Sequence, residues 1–206
     1  MHLLLASSLE STAQQIGKQL RPEDLELGLF VTTASEGEEG DKSWLEDDRQ
    51  AALKAGFKLN EYTFTGKTAD QIETAVRGAS ALIIEGGNTF YLLDAMRQTG
   101  ADKIITQAVA SGKCYIGSSA GTIVAGSTIE QVKGSDDLQK APGLKSFEGL
   151  NLVDLAFWVH WGGETGELRQ KDLRSIADFY EKDLKFCLLR NNQYLHATDA
   201  GYKLEG

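Results

Sequence analysis

The stretch CYIGSSAGTIV, residues 114–124, contains the pattern Gly-x-Ser-x-Gly between two apolar runs. This position indicates a strand that turns sharply into a helix, which is the setting of a nucleophile elbow. The glycines Gly117 and Gly121 permit a tight turn that projects the hydroxyl of Ser119 into a cleft. The free amides and positive dipole end of the following helix would face the same point, where an oxyanion could form. The motif therefore predicts that Ser119 is a nucleophile and that the chain is a hydrolase.

A Gly- and Ser-rich turn can also join a strand to a helix without any catalytic role, so the rest of the chain has to be weighed. Short apolar runs alternate with amphipathic stretches, which predicts an α/β fold: a mostly parallel sheet with helices on both faces. We predict strands at residues 3–7, 27–33, 58–64, 81–85, 113–117 and 186–189. We predict helices at residues 10–20, 41–55, 68–77, 90–97, 102–110 and 165–183. A strong apolar run covers 152–160, and a hairpin at 193–204 that turns at 199–201 predicts an antiparallel C-terminal edge.

The composition favours one acidic domain spanning residues 1–206. Hydrophobic residues make up 41% of the chain, and 30 acidic against 21 basic residues give a net charge of −9. Such a charge repels nucleic acid and anionic membrane surfaces, so neither is an expected partner. Nothing in the sequence fixes the oligomeric state, which leaves a homodimer open.

The cysteines and the apolar start predict a cytoplasmic protein. Cys114 and Cys187 lie in apolar runs without CxxC or histidine spacing, which favours buried thiols in a reducing compartment over a disulfide or a zinc site. Residues 1–7 lack a basic segment and favour a first strand over a signal peptide. No apolar run reaches the roughly 20 residues that cross a bilayer.

A second loop of interest is EGGNT, residues 85–89, directly after a predicted strand. Ligands bind beyond the carboxyl ends of strands in an open parallel sheet, so this loop should lie near Ser119. Asn88 or Thr89 could cap the following helix, and the glycines would let backbone amides approach a ligand. The loop lacks the GxGxxG pattern of dinucleotide sites, and we predict neither a cofactor nor a metal. Together with the amide of Ala120, the loop would supply an oxyanion hole.

A nucleophilic serine needs a base, and the chain has three histidines. His2 begins the first predicted strand, at the end of the sheet remote from the site. His160 ends the apolar run 156–159 at the same edge as Ser119, which makes it the predicted base. His196 lies inside the predicted hairpin.

The group that orients His160 is left open by the residues alone. Asp136 and Asp137 lie in a polar loop between the serine and the histidine, where simple solvation also explains them. Asn191 follows a predicted strand and could accept an imidazole N–H through its amide oxygen, as asparagine does in Cys-His-Asn proteases. A neutral orienter stabilises imidazolium less than a carboxylate does.

Two motifs, GGNTF at residues 86–90 and GSSAG at residues 117–121, precede a histidine at the end of the next long strand. Together they resemble the peptidase E and cyanophycinase group of serine peptidases over most of the chain. The resemblance implies a fold like that of class I glutamine amidotransferases, with serine in place of the cysteine nucleophile. Peptidase E cleaves dipeptides with an amino-terminal aspartate. The resemblance also implies a nucleophile, a base and an oxyanion hole formed by Ser119, His160 and the amides near Gly87 and Ala120.

Two positions depart from the family pattern. The family has Leu-Pro-Glu-Gly-Asn, whose glutamate is the proposed triad acid, where residues 189–193 read LRNNQ and place Asn191. An aspartate after the elbow helix is another family candidate, and Asp136 is its nearest match. The family's Gly-Glu-Thr-Arg becomes Gly-Glu-Thr-Gly at residues 163–166, so the arginine that would pair with a substrate aspartate is absent. Loss of that cation should weaken selection for an acidic side chain.

The leading hypothesis is a serine peptidase, dipeptidase-like, that hydrolyses small peptides through Ser119 and His160. Two alternatives stand beside it. One is an α/β-hydrolase-type esterase using His196, for which the chain is short. The other is a non-catalytic peptide-binding pseudoenzyme, which the missing glutamate and arginine motivate.

Overall fold

This computed structural model of the protein describes residues 1–163, 176, 177, 179 and 184–206. The described residues form the strands β1 (His2–Ala6), β2 (Gly28–Val31), β3 (Leu59–Tyr62), β4 (Ala81–Ile84), β5 (Cys114–Ser118), β6 (Ala156–Trp158), β7 (Phe186–Leu188), β8 (Tyr194–Thr198) and β9 (Gly201–Glu205). They also form the helices α1 (Leu9–Gln19), α2 (Ser43–Lys54), α3 (Ala69–Gly78), α4 (Thr89–Thr99), α5 (Ala101–Ala110) and α6 (Ala120–Ala125).

The main sheet has seven strands in the order β3-β2-β4-β5-β1-β8-β9. The first five run parallel, while β8 is antiparallel to β1 and β9 is antiparallel to β8. The last two strands form the predicted hairpin, which closes at the pair Thr198 and Gly201. A mostly parallel sheet with an antiparallel C-terminal edge is confirmed.

Both faces of this sheet are covered by helices. Leu3 and Leu5 of β1 pack into one buried cluster, which also contains apolar residues of α3, α4 and α5. Leu4 and Ala6 pack into a second cluster with residues of α1 and α2. Because successive side chains of a strand point to opposite faces, this alternation places the helices on the two sides, as predicted.

The apolar run 152–160, in which we expected a long strand ending at His160, forms a strand only at Ala156–Trp158. That strand, β6, pairs in parallel with β7 in a separate two-stranded sheet. The amides of residues 150–152 instead donate to the carbonyl groups of residues 124–126 at the C-terminal end of α6, over 2.7–3.1 Å. Those carbonyl groups have no partner within the helix, so these bonds hold residues 150–152 against the end of α6 and outside the strand. The predicted helix at 165–183 lies largely outside the described residues.

The two cysteines are free thiols, Cys114 buried in β5 and Cys187 partly buried in β7. Burial raises the pKa of the Cys114 thiol to about 12 and that of the Cys187 thiol to about 11. Both thiols therefore stay protonated near neutral pH and are poor nucleophiles.

Among the helices that the structure describes, none combines the length and the apolar character required to cross a membrane. That residues 1–206 form a single domain stays a prediction.

Helix α6 approaches β4 most closely at Gly121. A Cβ atom at this position would lie 1.9 Å from the carbonyl oxygen of Ile84. The carbonyl group of Gly121 also accepts a hydrogen bond of 2.6 Å from the hydroxyl of Tyr115. Because backbone meets backbone here, no side-chain rotation can make room for a methyl group.

We expect Gly121→Ala to lower the free energy of unfolding by about 3 kcal/mol or more, since α6 would have to move away from the sheet. Gly78→Ala is the matched control: a Cβ there meets nothing within 4 Å. That change, at the end of α3, should be neutral or should stabilise by about 0.5 kcal/mol. Urea unfolding of both variants measures the difference, and equal stabilities would show that the close approach is unimportant.

Candidate active site

Ser119 occupies the sharp turn between β5 and α6. Its backbone has φ 49° and ψ −109°, a conformation that L-residues rarely adopt and that costs about 1–3 kcal/mol. The amide of Ser119 donates to the carbonyl group of Ala6 at 3.2 Å. Its own carbonyl group accepts from the amides of Thr122 and Ile123, at 2.9 and 3.0 Å. The strained turn is thus fixed to β1 on one side and to α6 on the other.

The Ser119 hydroxyl lies next to the imidazole of His160. Ser119 Oγ is 3.0 Å from His160 Nε2, and His160 Nδ1 is 2.8 Å from Asn191 Oδ1. An amide oxygen only accepts, so Nδ1 carries the hydrogen and donates it to Asn191. Nε2 is then left unprotonated and can accept the serine proton, which is the tautomer a general base needs.

Hydrogen bonds just beyond the end of β1 hold His160 in place. His160 also has a positive φ, 54°. Its amide donates to the hydroxyl of Ser7 at 2.7 Å, and the amide of Ser7 donates to the carbonyl group of Gln193 at 3.1 Å. The next residue, Trp161, donates its amide to the carbonyl group of Leu189. These bonds place the imidazole and Asn191 on the same side of the Ser119 turn.

The other candidate orienter, Asp136, lines a cavity that also touches His160, but its carboxylate is hydrogen-bonded to α4. Its Oδ2 accepts the amide of Thr89 at 2.7 Å, at the start of α4. The carbonyl group of Asp137 accepts from Asn88 Nδ2 at 3.1 Å, and Asn88 Oδ1 accepts the amide of Tyr91 at 2.9 Å. The polar loop is therefore bound to the N-terminal turn of α4, and Asn191 is the group at the imidazole.

The remaining histidines form a separate pair. The rings of His2 and His196 have centroids 5.2 Å apart. Burial lowers the pKa of both imidazoles. Neither lines a cavity at Ser119, so the arrangement required by the esterase alternative is not formed.

The EGGNT loop passes directly beside the serine. A Cβ on Gly86 would be 3.3 Å from Ser119 Cβ. Gly87 has φ 124°, and a Cβ there would be 2.4 Å from the carbonyl group of Ala34, so only glycine fits. The amide of Ala120 is the first of α6 and has no partner within the helix. That the amides of Gly87 and Ala120 form an oxyanion hole stays a prediction.

Two cavities adjoin Ser119 and His160, and both also touch Gly87. The first, which we call the Trp158 cavity, has a volume of about 190 Å³. Its lining combines the apolar side chains of Ile123, Val132, Phe157, Trp158 and Val159 with polar side chains that include Thr89, Gln131 and Asp136. The second, which we call the Asp48 cavity, has a volume of about 310 Å³ and is lined by the carboxylates of Glu10, Glu38, Glu39, Asp41 and Asp48. The two cavities offer a substrate very different surroundings.

A buried pair of carboxyl groups lies behind the turn. Asp48 is 6% exposed and accepts from the amide of Glu10 at 2.6 Å and from the hydroxyl of Ser118 at 3.3 Å. Glu85 is fully buried and faces Asp48. Burial, then the nearby charge of Asp48, raises the pKa of Glu85 well above its usual value; burial also raises the pKa of Asp48. Glu85 is therefore the neutral partner and donates its proton to Asp48.

Sequence reasoning overlooked this pair, although two signals were available. Glu85 directly follows the wholly apolar strand β4, where a carboxylate is unusual. Asp48 stands four residues before Ala52, and both are buried on the same face of α2.

Comparison with known proteins supports a serine peptidase. The chain matches the model of peptidase family S51 over residues 3–204. An uncharacterized peptidase of Listeria innocua is 32% identical over 170 residues, which are 82% of this chain and 79% of that protein. Peptidase E of a Nostoc species is 37% identical over 139 residues, 64% of this chain and 54% of that protein. A crystal structure from Listeria monocytogenes EGD-e, described provisionally as peptidase E, has a TM-score of 0.89 and 25% identity, and covers 99% of this chain and 97% of that chain.

The α/β fold and these matches define the chain as a serine-type peptidase. It belongs to peptidase family S51. The resemblance to peptidase E drawn from the two glycine-rich motifs is thereby confirmed.

The neutral state of Glu85 predicts a specific pH dependence of stability. Between the usual pKa of glutamate and the raised pKa of Glu85, the folded protein holds a proton that the unfolded chain has released. The free energy of unfolding should therefore fall as pH rises through this window, by up to about 1.4 kcal/mol per pH unit. Glu85→Gln keeps a neutral donor to Asp48 but cannot lose a proton, so its decline should be smaller.

Urea unfolding between pH 5 and 8 measures this slope, with Glu73→Gln, an exposed carboxylate on α3, as the control. The groups that act on the pair are the amides of Glu10 and Gly86 and the hydroxyl of Ser118, through hydrogen bonds, and His160 through its field. Parallel curves for the wild type and Glu85→Gln would mean that Glu85 is ionised in the folded state.

Proposed function

We propose that the protein hydrolyses short peptides with Ser119 as the nucleophile and His160 as the general base. The observation that carries this proposal is the chain of contacts from Ser119 Oγ to His160 Nε2, 3.0 Å, and from His160 Nδ1 to Asn191 Oδ1, 2.8 Å. Both distances are within hydrogen-bond reach, and the tautomer they require is the one that can take the serine proton.

The reaction follows from these positions. Ser119 Oγ attacks the carbonyl carbon of the peptide while His160 Nε2 takes its proton. The resulting oxyanion is stabilised by the amides of Gly87 and Ala120. His160 then gives the proton to the leaving amine, and an acyl group stays on Ser119. Water, activated by the same imidazole, releases the acyl group and restores the enzyme.

The size of the site supports a short substrate. The cavities hold about 190 and 310 Å³, whereas pockets for small ligands typically span roughly 300–1,000 Å³. The two cavities therefore lie at or below the lower end of this range, which suits a short peptide.

We expect Ser119→Ala to reduce kcat/KM on a dipeptide library by on the order of 10⁴-fold or more, because the attacking oxygen is lost. The melting temperature should not fall, since only a hydroxyl is removed. A fluorophosphonate probe should label the wild type stoichiometrically at Ser119 and leave the variant unlabelled. Turnover by the alanine variant, or a wild type that resists the probe at neutral pH, would contradict the proposed nucleophile.

Asn191 should act through the orientation of His160. Asn191→Ala removes the acceptor that fixes the tautomer, and kcat should fall by roughly 10²-fold with a smaller change in KM. Asn191→Asp supplies a carboxylate at the same place and should retain more activity than the alanine variant. A wild-type kcat for Asn191→Ala would contradict the orienting role of Asn191.

A further inference from the structure

Gln131 is a buried polar residue in the wall of the Trp158 cavity. It lies in the short helical turn Glu130–Gly134 that follows α6, and it is 4% exposed. Its Nε2 donates to the carbonyl group of Phe157 at 3.0 Å, which fixes the orientation of the amide. Its Oε1 is buried and has no hydrogen-bond partner among the described residues. The wall therefore contains an acceptor that the described part of the chain leaves unsatisfied.

An unsatisfied buried acceptor is costly, because it has lost its bonds to water and gained none in return. Most buried oxygens of this kind are bound by a donor. Gln131 lines the same cavity as Ser119 and His160. A substrate held against Ser119 can therefore bring the missing N–H or O–H group to Gln131.

A second acceptor in the same wall carries a negative charge. Asp136 lines the Trp158 cavity, and its Oδ2 accepts the amide of Thr89 at 2.7 Å. The described lining of this cavity contains neither lysine nor arginine. A substrate carboxylate placed here would meet the like charge of Asp136 without a cation to offset it.

The rest of the Trp158 cavity limits the size of its occupant. Ile123, Phe157 and Trp158 supply apolar walls, and the volume is about 190 Å³. This is less than the roughly 300–1,000 Å³ of typical small-ligand pockets, so a short side chain fits best.

We propose that the Trp158 cavity selects a short, uncharged substrate side chain that carries a hydrogen-bond donor, and that it rejects a carboxylate. Asparagine is such a side chain, since its carboxamide donates hydrogen bonds and bears no charge. Aspartate has the same shape, but its carboxylate only accepts hydrogen bonds and is repelled by Asp136. This inference rests on the proposed hydrolysis and specifies its substrate class.

The test compares three side chains of similar shape in two series of dipeptides. The first is Asn-Ala, Asp-Ala and Leu-Ala, and the second is Ala-Asn, Ala-Asp and Ala-Leu, so that both sides of the scissile bond are covered. In at least one series, we expect kcat/KM for the asparagine peptide to exceed that of the other two by tenfold or more, because a site built for a donor discriminates against analogues that lack it. Aspartate or leucine peptides cleaved at least as fast as the asparagine peptide in both series would overturn the proposal.

Two variants separate the two acceptors. Gln131→Met keeps the length of the side chain but removes its oxygen, so the preference for asparagine over leucine should fall three- to tenfold. Asp136→Asn keeps an oxygen for the amide of Thr89 but removes the charge, so the preference for asparagine over aspartate should fall by a similar factor. Asp137→Asn makes the same change of charge on the next residue, outside the described lining of both cavities, and should behave as the wild type.

Thermal melting shows whether Gln131→Met folds, and the wild-type series and Asp136→Asn decide the question if it does not. Unchanged preferences in the folded variants would refute the proposal.

A binding measurement separates this inference from the proposed hydrolysis. Calorimetry with the Ser119→Ala variant should show tighter binding of asparagine dipeptides than of their aspartate counterparts, whether or not the wild type turns them over. Hydrolysis without a preference for asparagine would refute only the present inference. Selective binding without hydrolysis of any peptide would refute only the proposed function.

Discussion

The hydrogen bond between Ser119 and His160 joins two separate sheets, and the candidate site exists only where they meet. Ser119 follows β5 of the main sheet, whereas His160 follows β6 of the small sheet. The hydroxyl of Ser7, just beyond β1, accepts the amide of His160 and thereby ties the small sheet to the large one. The close packing of Gly121 on Ile84 sets the other side of the contact. The relative position of the two sheets is thus the constraint from which the rest of the site follows.

Features that depend on neighbouring residues in sequence could be predicted. The alternation of apolar runs and amphipathic stretches gave the parallel sheet, its two helical faces and the C-terminal hairpin, because each element's period is set by its own geometry. The pattern around Ser119 located the turn, and the end of an apolar run located His160. Strand ends and turns can be predicted from a few consecutive residues, and both Ser119 and His160 lie at such positions.

Features that depend on contacts between residues distant in sequence could not be predicted. One example lies before β6, where the amides of residues 150–152 donate to carbonyl groups at the end of α6. Nothing in the sequence around residue 150 indicates these bonds. Asn191 and Asp136 were equal candidates until the fold placed one at the imidazole and the other at α4. The pair formed by Asp48 and Glu85 joins residues 37 positions apart on a helix and a strand. Pairings of this kind are set by packing, which no local pattern encodes.

The two residues of the proposed chemistry share an unusual backbone. Ser119 and His160 have φ values of 49° and 54°, in a region that glycine occupies freely and other residues enter at a cost. Replacing either one by glycine would relax the chain and favour folding while abolishing the reacting group. At these two positions stability and activity therefore oppose each other: selection for a more stable fold and selection for turnover act in opposite directions.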